Sequence, residues 1–218
     1  VFDRDFDREG LADLSHTLIV GGGLSALQTA LMLTQRLHGR VSVLSRHPLR
    51  SSDYDFDPCW IGPKCLRGFH RTAKARRRPL IDNARLSGTA PAAVIEKFRE
   101  AAASGSLSFR VGKIQKAVKV GNGIEVCVDN RQWFVDEIVL ATGFSPRRPG
   151  GRFIDQIIDE FRMKCGPCGY PVTDAHLRWN ENIWVTGPLA ELQLGPCARN
   201  IIGARNAGRY LLKAIEKN

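Results

Sequence analysis

Three consecutive glycines at 21–23 join two kinds of periodicity, and few folds accommodate such a junction. Thr17-Leu18-Ile19-Val20 is short, apolar and rich in β-branched residues, whereas Leu24, Leu27, Leu31 and Leu37 recur at helical spacing. A strand must therefore pass directly into a helix through Gly21-Gly22-Gly23-Leu24-Ser25-Ala26, a G-x-G-x-x-A pattern. In such a turn the first glycine permits the bend and the second lets a pyrophosphate approach the backbone. The small Ala26 keeps helix and strand close, and the helix N-terminus faces the phosphates. Gly39 stops the helix, and Val41-Ser42-Val43-Leu44 is the second strand of a βαβ unit. The competing reading is a glycine turn of purely structural use. Strand, helix and second strand all fall where dinucleotide binding requires them.

The rest of the chain extends that unit. Residues 51–90 mix aromatic, proline and basic residues with poor periodicity and read as a long functional excursion. Pro91 opens an amphipathic helix that Gly105 ends, and Leu107–Val111 is a strand. Segments at 113–120, 124–129 and 132–135 form an antiparallel meander whose first turn is Gly121-Asn122-Gly123. Glu137–Ala141 returns as a buried strand, a short helix lies near 153–162, Asn182–Gly187 reads as a strand, and 197–216 is a closing helix. The expected fold class is α/β, a doubly wound Rossmann-like parallel sheet with an antiparallel β-meander crossover.

At 218 residues a sizeable core is available without staples. No apolar run approaches the ~20 residues of a membrane span, and the acidic start at 1–14 lacks an export signal and reads as a linker. The chain opens on Val1, which suggests that it was cut from something longer. A cytoplasmic protein with its six cysteines reduced is the expectation.

Where dinucleotide folds usually place an acid on the ribose hydroxyls, this chain has Ser45-Arg46-His47-Pro48-Leu49-Arg50. An acid there would repel a 2′-phosphate, whereas Arg46, with Ser45 and Arg50, would pair with it. That favours NADP(H) over NAD(H), against the alternative of solvated loop cations. Cys165-Gly166-Pro167-Cys168 has redox spacing, but Gly169-Tyr170-Pro171 would break any helix it opened. Inert loop cysteines are preferred to a dithiol, or to zinc shared with Cys59 and Cys65. The net charge of +10 gathers at Arg67, Arg71, Lys74, Arg76, Arg77, Arg78 and Arg85, read as a solvated face or docking surface rather than a nucleic-acid site. His16, His38, His47, His70 and His176 lack ligand or triad spacing.

The stretches TLIVGGGLSALQTALML, VSVLSRHPLR, DFDPCWIGPKCLRGFHR, EIVLATGFSP and NIWVTGPLAELQLGPCARNIIGAR together resemble the two-dinucleotide-domain flavoproteins. The resemblance is to the flavin-dependent N-hydroxylating monooxygenases of lysine and ornithine. It implies the three-layer FAD/NAD(P)-binding type of fold, with an NADP(H)-binding domain at 15–145. A loop and the C-terminal part of an incomplete FAD-binding domain would follow at 146–218. Gly21–Ala26 matches the glycine motif for the nicotinamide cofactor, and Ala141-Thr142-Gly143 matches the strand end linking the two domains. Gly187, Pro188, Leu194 and Gly195 match the segment returning over the flavin. The first glycine motif, the one that holds FAD, is missing. FAD would therefore need an upstream FAD-binding half as partner, and Trp184, Leu189, Leu192 and Leu194 would face it. In the implied reaction NADPH reduces the flavin, oxygen is consumed and a small-molecule substrate is hydroxylated. No side chain is assigned as acid, base or nucleophile, because the cofactors carry the chemistry. A flavin-free NADPH-binding or regulatory module and a basic nucleic-acid-binding protein are the rival readings.

Overall fold

The computed structural model describes residues 16–37, 40–145 and 147–216; the expected linker at 1–14 and the helix stop at Gly39 lie outside them. The chain divides into two compact units. One runs to Asp55 and resumes at Leu86–Phe144; the other comprises Phe56–Arg85 and the chain from Ser145.

The first unit is built on a four-stranded parallel sheet. Its strands are β1 (Thr17–Val20), β2 (Val41–Ser45), β5 (Ser108–Val111) and β9 (Glu137–Leu140), in the order β5-β2-β1-β9. The sheet has two faces, and alternate residues serve each. Ile19, Val43 and Val139 pack under helices α1 (Leu24–Thr34) and α4 (Ala92–Ala103), against Ala26, Leu27, Ala30, Ile95 and Phe98. Leu18 and Leu44 face the meander of β6 (Ile114–Val120), β7 (Gly123–Val128) and β8 (Arg131–Val135), meeting Val126, Val128 and Val135. Three layers result, in the expected Rossmann-like class. The buried face of α1 is Ala26, Leu27, Ala30, Leu33 and Thr34, while Leu24 is exposed. The leucine spacing identified the helix, and the alanines are what let it lie close to the sheet.

Two short parallel strands, β3 (Arg50–Ser51) and β4 (Thr89–Ala90), pair at the point where the chain leaves this unit and returns to it. Residues 56–85 thus belong to the second unit, not to an excursion within a domain at 15–145. They are also not irregular. They contain α2 (Pro63–Arg71) and α3 (Arg77–Ala84), whose Phe69 and Ile81 are buried with Tyr170 and Leu192. With so few apolar positions per helix, the pattern carried little periodic signal.

The second unit also holds α5 (Gly151–Glu160), α6 (Glu191–Leu194) and α7 (Ile201–Ile215). The expected strand at 182–187 reduces to a single bridge between Arg178 and Trp184. The side chain of Asn180 accepts the amides of Asn182 and Ile183, so a tight turn consumes donors that a ladder would need. The expected closing helix starts late, after a 3-10 turn at Pro196–Arg199, where the Asn200 side chain caps the amide of Gly203 at 3.1 Å. Leu192 and Leu194 are 1% and 3% exposed in the unit's own core, so they do not form the outward apolar face expected of them.

Part of the basic run is drawn into the fold, while Arg67, Arg71 and Arg76 stay exposed. Arg77 is 5% exposed and donates to the carbonyls of Thr72, His70 and Leu192 at 2.7–2.8 Å, with its guanidinium 4.8 Å from the centre of the Phe69 ring. Glu191 is fully buried; Arg85 and Arg199 donate to its Oε1 and Arg78 to its Oε2 at 2.6 Å. A charge so buried survives only when it is paired. Burial and the neighbouring Glu191 also push the Tyr170 hydroxyl above its ordinary range. Among the described residues no helix is long and apolar enough to cross a membrane. Glu191→Ala, which strands three guanidinium groups around a cavity, is expected to cost about 3–5 kcal/mol in urea unfolding. A loss below about 1 kcal/mol, the level of a surface pair, would refute the buried-network reading.

Candidate dinucleotide site

Each glycine of the loop after β1 has a different neighbour. The amide of Gly21 donates to Leu44 at 2.9 Å, and that of Ala141 donates to Val20 at 2.8 Å, so the loop starts locked between β2 and β9. Gly21 adopts φ +152°, and a Cβ on it would stand 2.3 Å from the Ala141 carbonyl oxygen. A Cβ on Gly22 would stand 2.1 Å from the Ser45 Oγ. Around Gly23 the nearest atom would be the Gly88 Cα at 3.4 Å, an ordinary contact. Gly21 and Gly22 are thus required by the fold, whereas at Gly23 the fold tolerates a small side chain.

Gly23 is the N-cap of α1 in extended geometry, no side chain caps it, and the first turn carries no acid. The opening amides of that helix and its positive dipole end are therefore available to an anion. Leu24 and Ser25 are exposed at this end, and Ala26 is buried against the sheet.

The residues expected around a 2′-phosphate separate into two groups. Ser45 is 1% exposed, and its Oγ donates to the His47 carbonyl at 2.7 Å, so it fixes the loop after β2 and has no hydroxyl to offer a ligand. Arg46 and Arg50 are exposed, and neither forms an ion pair among the described residues. The sequence reading missed His47 and Gly88. A Cβ on Gly88 would stand 2.8 Å from the His47 Nε2, and the ring's Nδ1 meets the Pro48 carbonyl at 2.8 Å. His47 thus wedges the loop after β2 against Gly88, beside the glycine turn. The dipeptide Ser87-Gly88 carried that signal but reads equally well as a plain polar turn.

At the end of β9, Thr142 and Gly143 are exposed, Ala141 is half-buried, and Gly143 has φ +82° with open space where a Cβ would point. Gly187, Pro188, Leu194 and Gly195 belong to the second unit. Gly187 opens a 3-10 turn at φ +56°, and Pro188 follows it, half-buried. Leu194 sits in the core, and a Cβ on Gly195 would press to 3.3 Å from Leu66. The last two residues are packing elements of their own unit.

The cysteines differ from expectation in one respect. Cys59 and Cys65 form a disulfide; Cys127, Cys165 and Cys168 are not disulfide-bonded, and the buried Cys197 thiol donates to the Leu194 carbonyl at 3.2 Å. Cys165-Gly166-Pro167-Cys168 occupies a tight turn, in which the Gly166 amide donates to Tyr170 and that of Gly169 to Gly166, both at 2.9 Å. No helix starts there, and burial pushes the Cys165 thiol up. Among the described residues no group of three or more His, Cys, Asp or Glu is placed to hold a metal ion.

The sequence matches no family model and no curated protein. Solved structures do match. The FAD-bound cadaverine monooxygenase of desferrioxamine biosynthesis from Erwinia amylovora superposes with a TM-score of 0.73 at 14% identity, over 96% of this chain and 53% of that one. The ornithine N-hydroxylase of Kutzneria sp. 744 gives 0.67 at 16% identity, over 98% and 56%. The HOCl-induced flavoprotein disulfide reductase of Escherichia coli gives 0.53 at 16% identity, over 93% and 36%. The chain has the Rossmann-like FAD/NAD(P)-binding fold, and it spans about half the length of the two monooxygenases.

The glycine geometry yields a graded expectation for stability. Gly21→Ala and Gly22→Ala should each lose about 1–3 kcal/mol, because backbone or a buried hydroxyl must move. Gly23→Ala should lose only a few tenths to about 1 kcal/mol, as at an ordinary N-cap. Thermal unfolding of the three variants measures this. Equal losses at all three positions would contradict it.

Proposed function

We propose that this chain is the NADPH-binding portion of an FAD-dependent oxidoreductase of monooxygenase-like type. The observation that carries the reading is the N-terminus of α1, which no side chain caps and no acid occupies, following the glycine turn and joined in the same unit by the exposed Arg46, which forms no ion pair among the described residues. Such a site fits a pyrophosphate with a further phosphate on its ribose. Gly21–Ala26 would hold the pyrophosphate through backbone amides, and Arg46 with Arg50 would pair with the 2′-phosphate. Thr142 and Gly143 would border the cofactor at the end of β9. NADPH, when bound, supplies a hydride for reducing a flavin. The residues of this chain bind and orient it, and none is required as acid, base or nucleophile.

The flavin is the second part of the proposal. The described residues offer one open glycine loop, and the start of α7 is already capped by Asn200. FAD is therefore proposed to rest on an FAD-binding half that acts with this chain. The names of the similar structures suggest hydroxylation of a small amine-bearing substrate. The single glycine loop also favours a second reading, a flavin-free NADPH-binding or regulatory module.

Titration with the two nicotinamide cofactors tests the common core of both readings. NADPH is expected to bind at least tenfold tighter than NADH, since one charge-assisted hydrogen bond is worth about 1.5–3 kcal/mol. Arg46→Ala should remove most of that preference. Gly23→Val, which sets a branched side chain at the N-cap of α1 against Gly88 and Thr89, should abolish binding of both. Equal affinities in the parent protein would sink the assignment to NADPH.

A further inference from the structure

Cys59 ends up in an unusual place for a structural disulfide. It lines an open cavity of about 760 Å³ together with Gly62, Lys64, Arg67, Gly68 and Arg71. Gly62 and Gly68 have nothing within 4 Å of where a Cβ would point, so both leave the cavity wall open, and Cys59 is half-buried at its edge. Lys64, Arg67 and Arg71 fall at i, i+3 and i+7 along α2 and share one face of it. All three are exposed, and among the described residues none pairs with a carboxylate. They differ in this from Arg77, Arg78 and Arg85, whose guanidinium groups are used inside the unit. The acid closest in sequence, Asp57, is held at the Cys59 amide at 2.8 Å. Behind the disulfide, Trp60 stacks edge-on against the buried Phe69 at 5.7 Å, which fixes the turn carrying Cys59.

We propose that Cys59–Cys65 is a thiol–disulfide exchange site for small anionic thiols, of the class that carries carboxylates on the same small molecule as its sulfhydryl. The inference does not depend on NADPH binding. The thiolate of the incoming molecule attacks the Cys59 sulfur from the cavity, forming a mixed disulfide there and breaking the Cys59–Cys65 bond. The leaving electron pair goes to the Cys65 sulfur. That atom is on the third residue of α2, where backbone amides and the side chain of Lys64 stabilise negative charge. A second thiolate attacks the incoming molecule's sulfur and releases Cys59. In sum, two equivalents of the small thiol are oxidised to its disulfide, and Cys59 and Cys65 are reduced to thiols. The cations act by concentrating an anionic reagent in the cavity that Cys59 lines.

The test uses the oxidised chain and three reagents: reduced glutathione (anionic), 2-mercaptoethanol (neutral) and cysteamine (cationic). Reduction is followed by alkylation and mass spectrometry at equal thiolate concentrations. Glutathione should react about tenfold faster than the neutral thiol at low salt, the low end of electrostatic steering, and cysteamine more slowly still. High salt should collapse the spread. Arg67→Glu with Arg71→Glu should reverse the order, and because both positions are exposed the fold is expected to persist. A mixed disulfide trapped by rapid acid quenching of the parent protein, before the second thiolate attacks, should map to Cys59. Equal normalised rates for the three thiols would overturn the proposal. So would a mixed disulfide on Cys65, or recovery of both residues as free thiols from air-equilibrated protein.

Discussion

The close approach of Gly21 to the Ala141 carbonyl ties the first unit together. A parallel sheet leaves its loops at one end, and the loops after β1 and β9 emerge side by side because those strands are neighbours. Only a residue without a Cβ lets the chain turn there while the Ala141 amide still reaches Val20. The turn then points α1 back across the sheet, where Ala26 and Ala30 accept the close packing. The amides at the start of α1 are directed outward as a consequence. Fold and phosphate geometry are in this sense one constraint, divided between a glycine that the sheet requires and another that the sheet leaves free.

How much of this was legible follows from where the signals reside. Parallel strands buried on both faces read as continuous apolar runs, and Val41–Leu44 was evident for that reason; Ile138–Leu140 reads the same way although Leu140 is exposed. Gly121-Asn122-Gly123 marked the meander by its turn chemistry alone. Ser45 was misjudged because a serine beside an arginine looks like a phosphate ligand, and only the register of β2 reveals that its hydroxyl points inward, to His47. Asn180 decided the fate of 182–187 by taking two backbone donors, an effect that no count of β-branched residues contains.

The second unit was harder to read for a deeper reason. Its interior is organised by partners far apart in sequence, Arg78 and Arg85 with Glu191 and Lys74 with the Thr173 carbonyl. Apolar periodicity reports which face of an element is buried, but it does not say which arginine will be buried with which carboxylate. A buried ionic network also gains little net stability over apolar packing, while its dissolution leaves uncompensated charges. Such a core depends on all its members together, and Phe69, Ile81, Tyr170 and Leu192 supply the apolar remainder.

The same partition changes what the net charge of +10 means. A cluster of arginines in sequence suggests one electropositive surface, yet Arg77, Arg78 and Arg85 each have partners within the fold. Arg78 and Arg85 share the Glu191 carboxylate with Arg199, which offsets part of their charge, and Arg77 is held by carbonyls in the interior, so none of the three is presented at the surface as a free cation. Among the exposed cations of the described residues, two small groups accompany the glycine loop and the disulfide, Arg46 and Arg50 beyond β2 and Lys64, Arg67 and Arg71 along α2. Each small group suits a ligand with one or two negative charges better than a nucleic-acid backbone, which needs a continuous stripe. Electrostatics thus points to small anionic molecules, with the glycine loop and the disulfide deciding what kind of chemistry each group would meet.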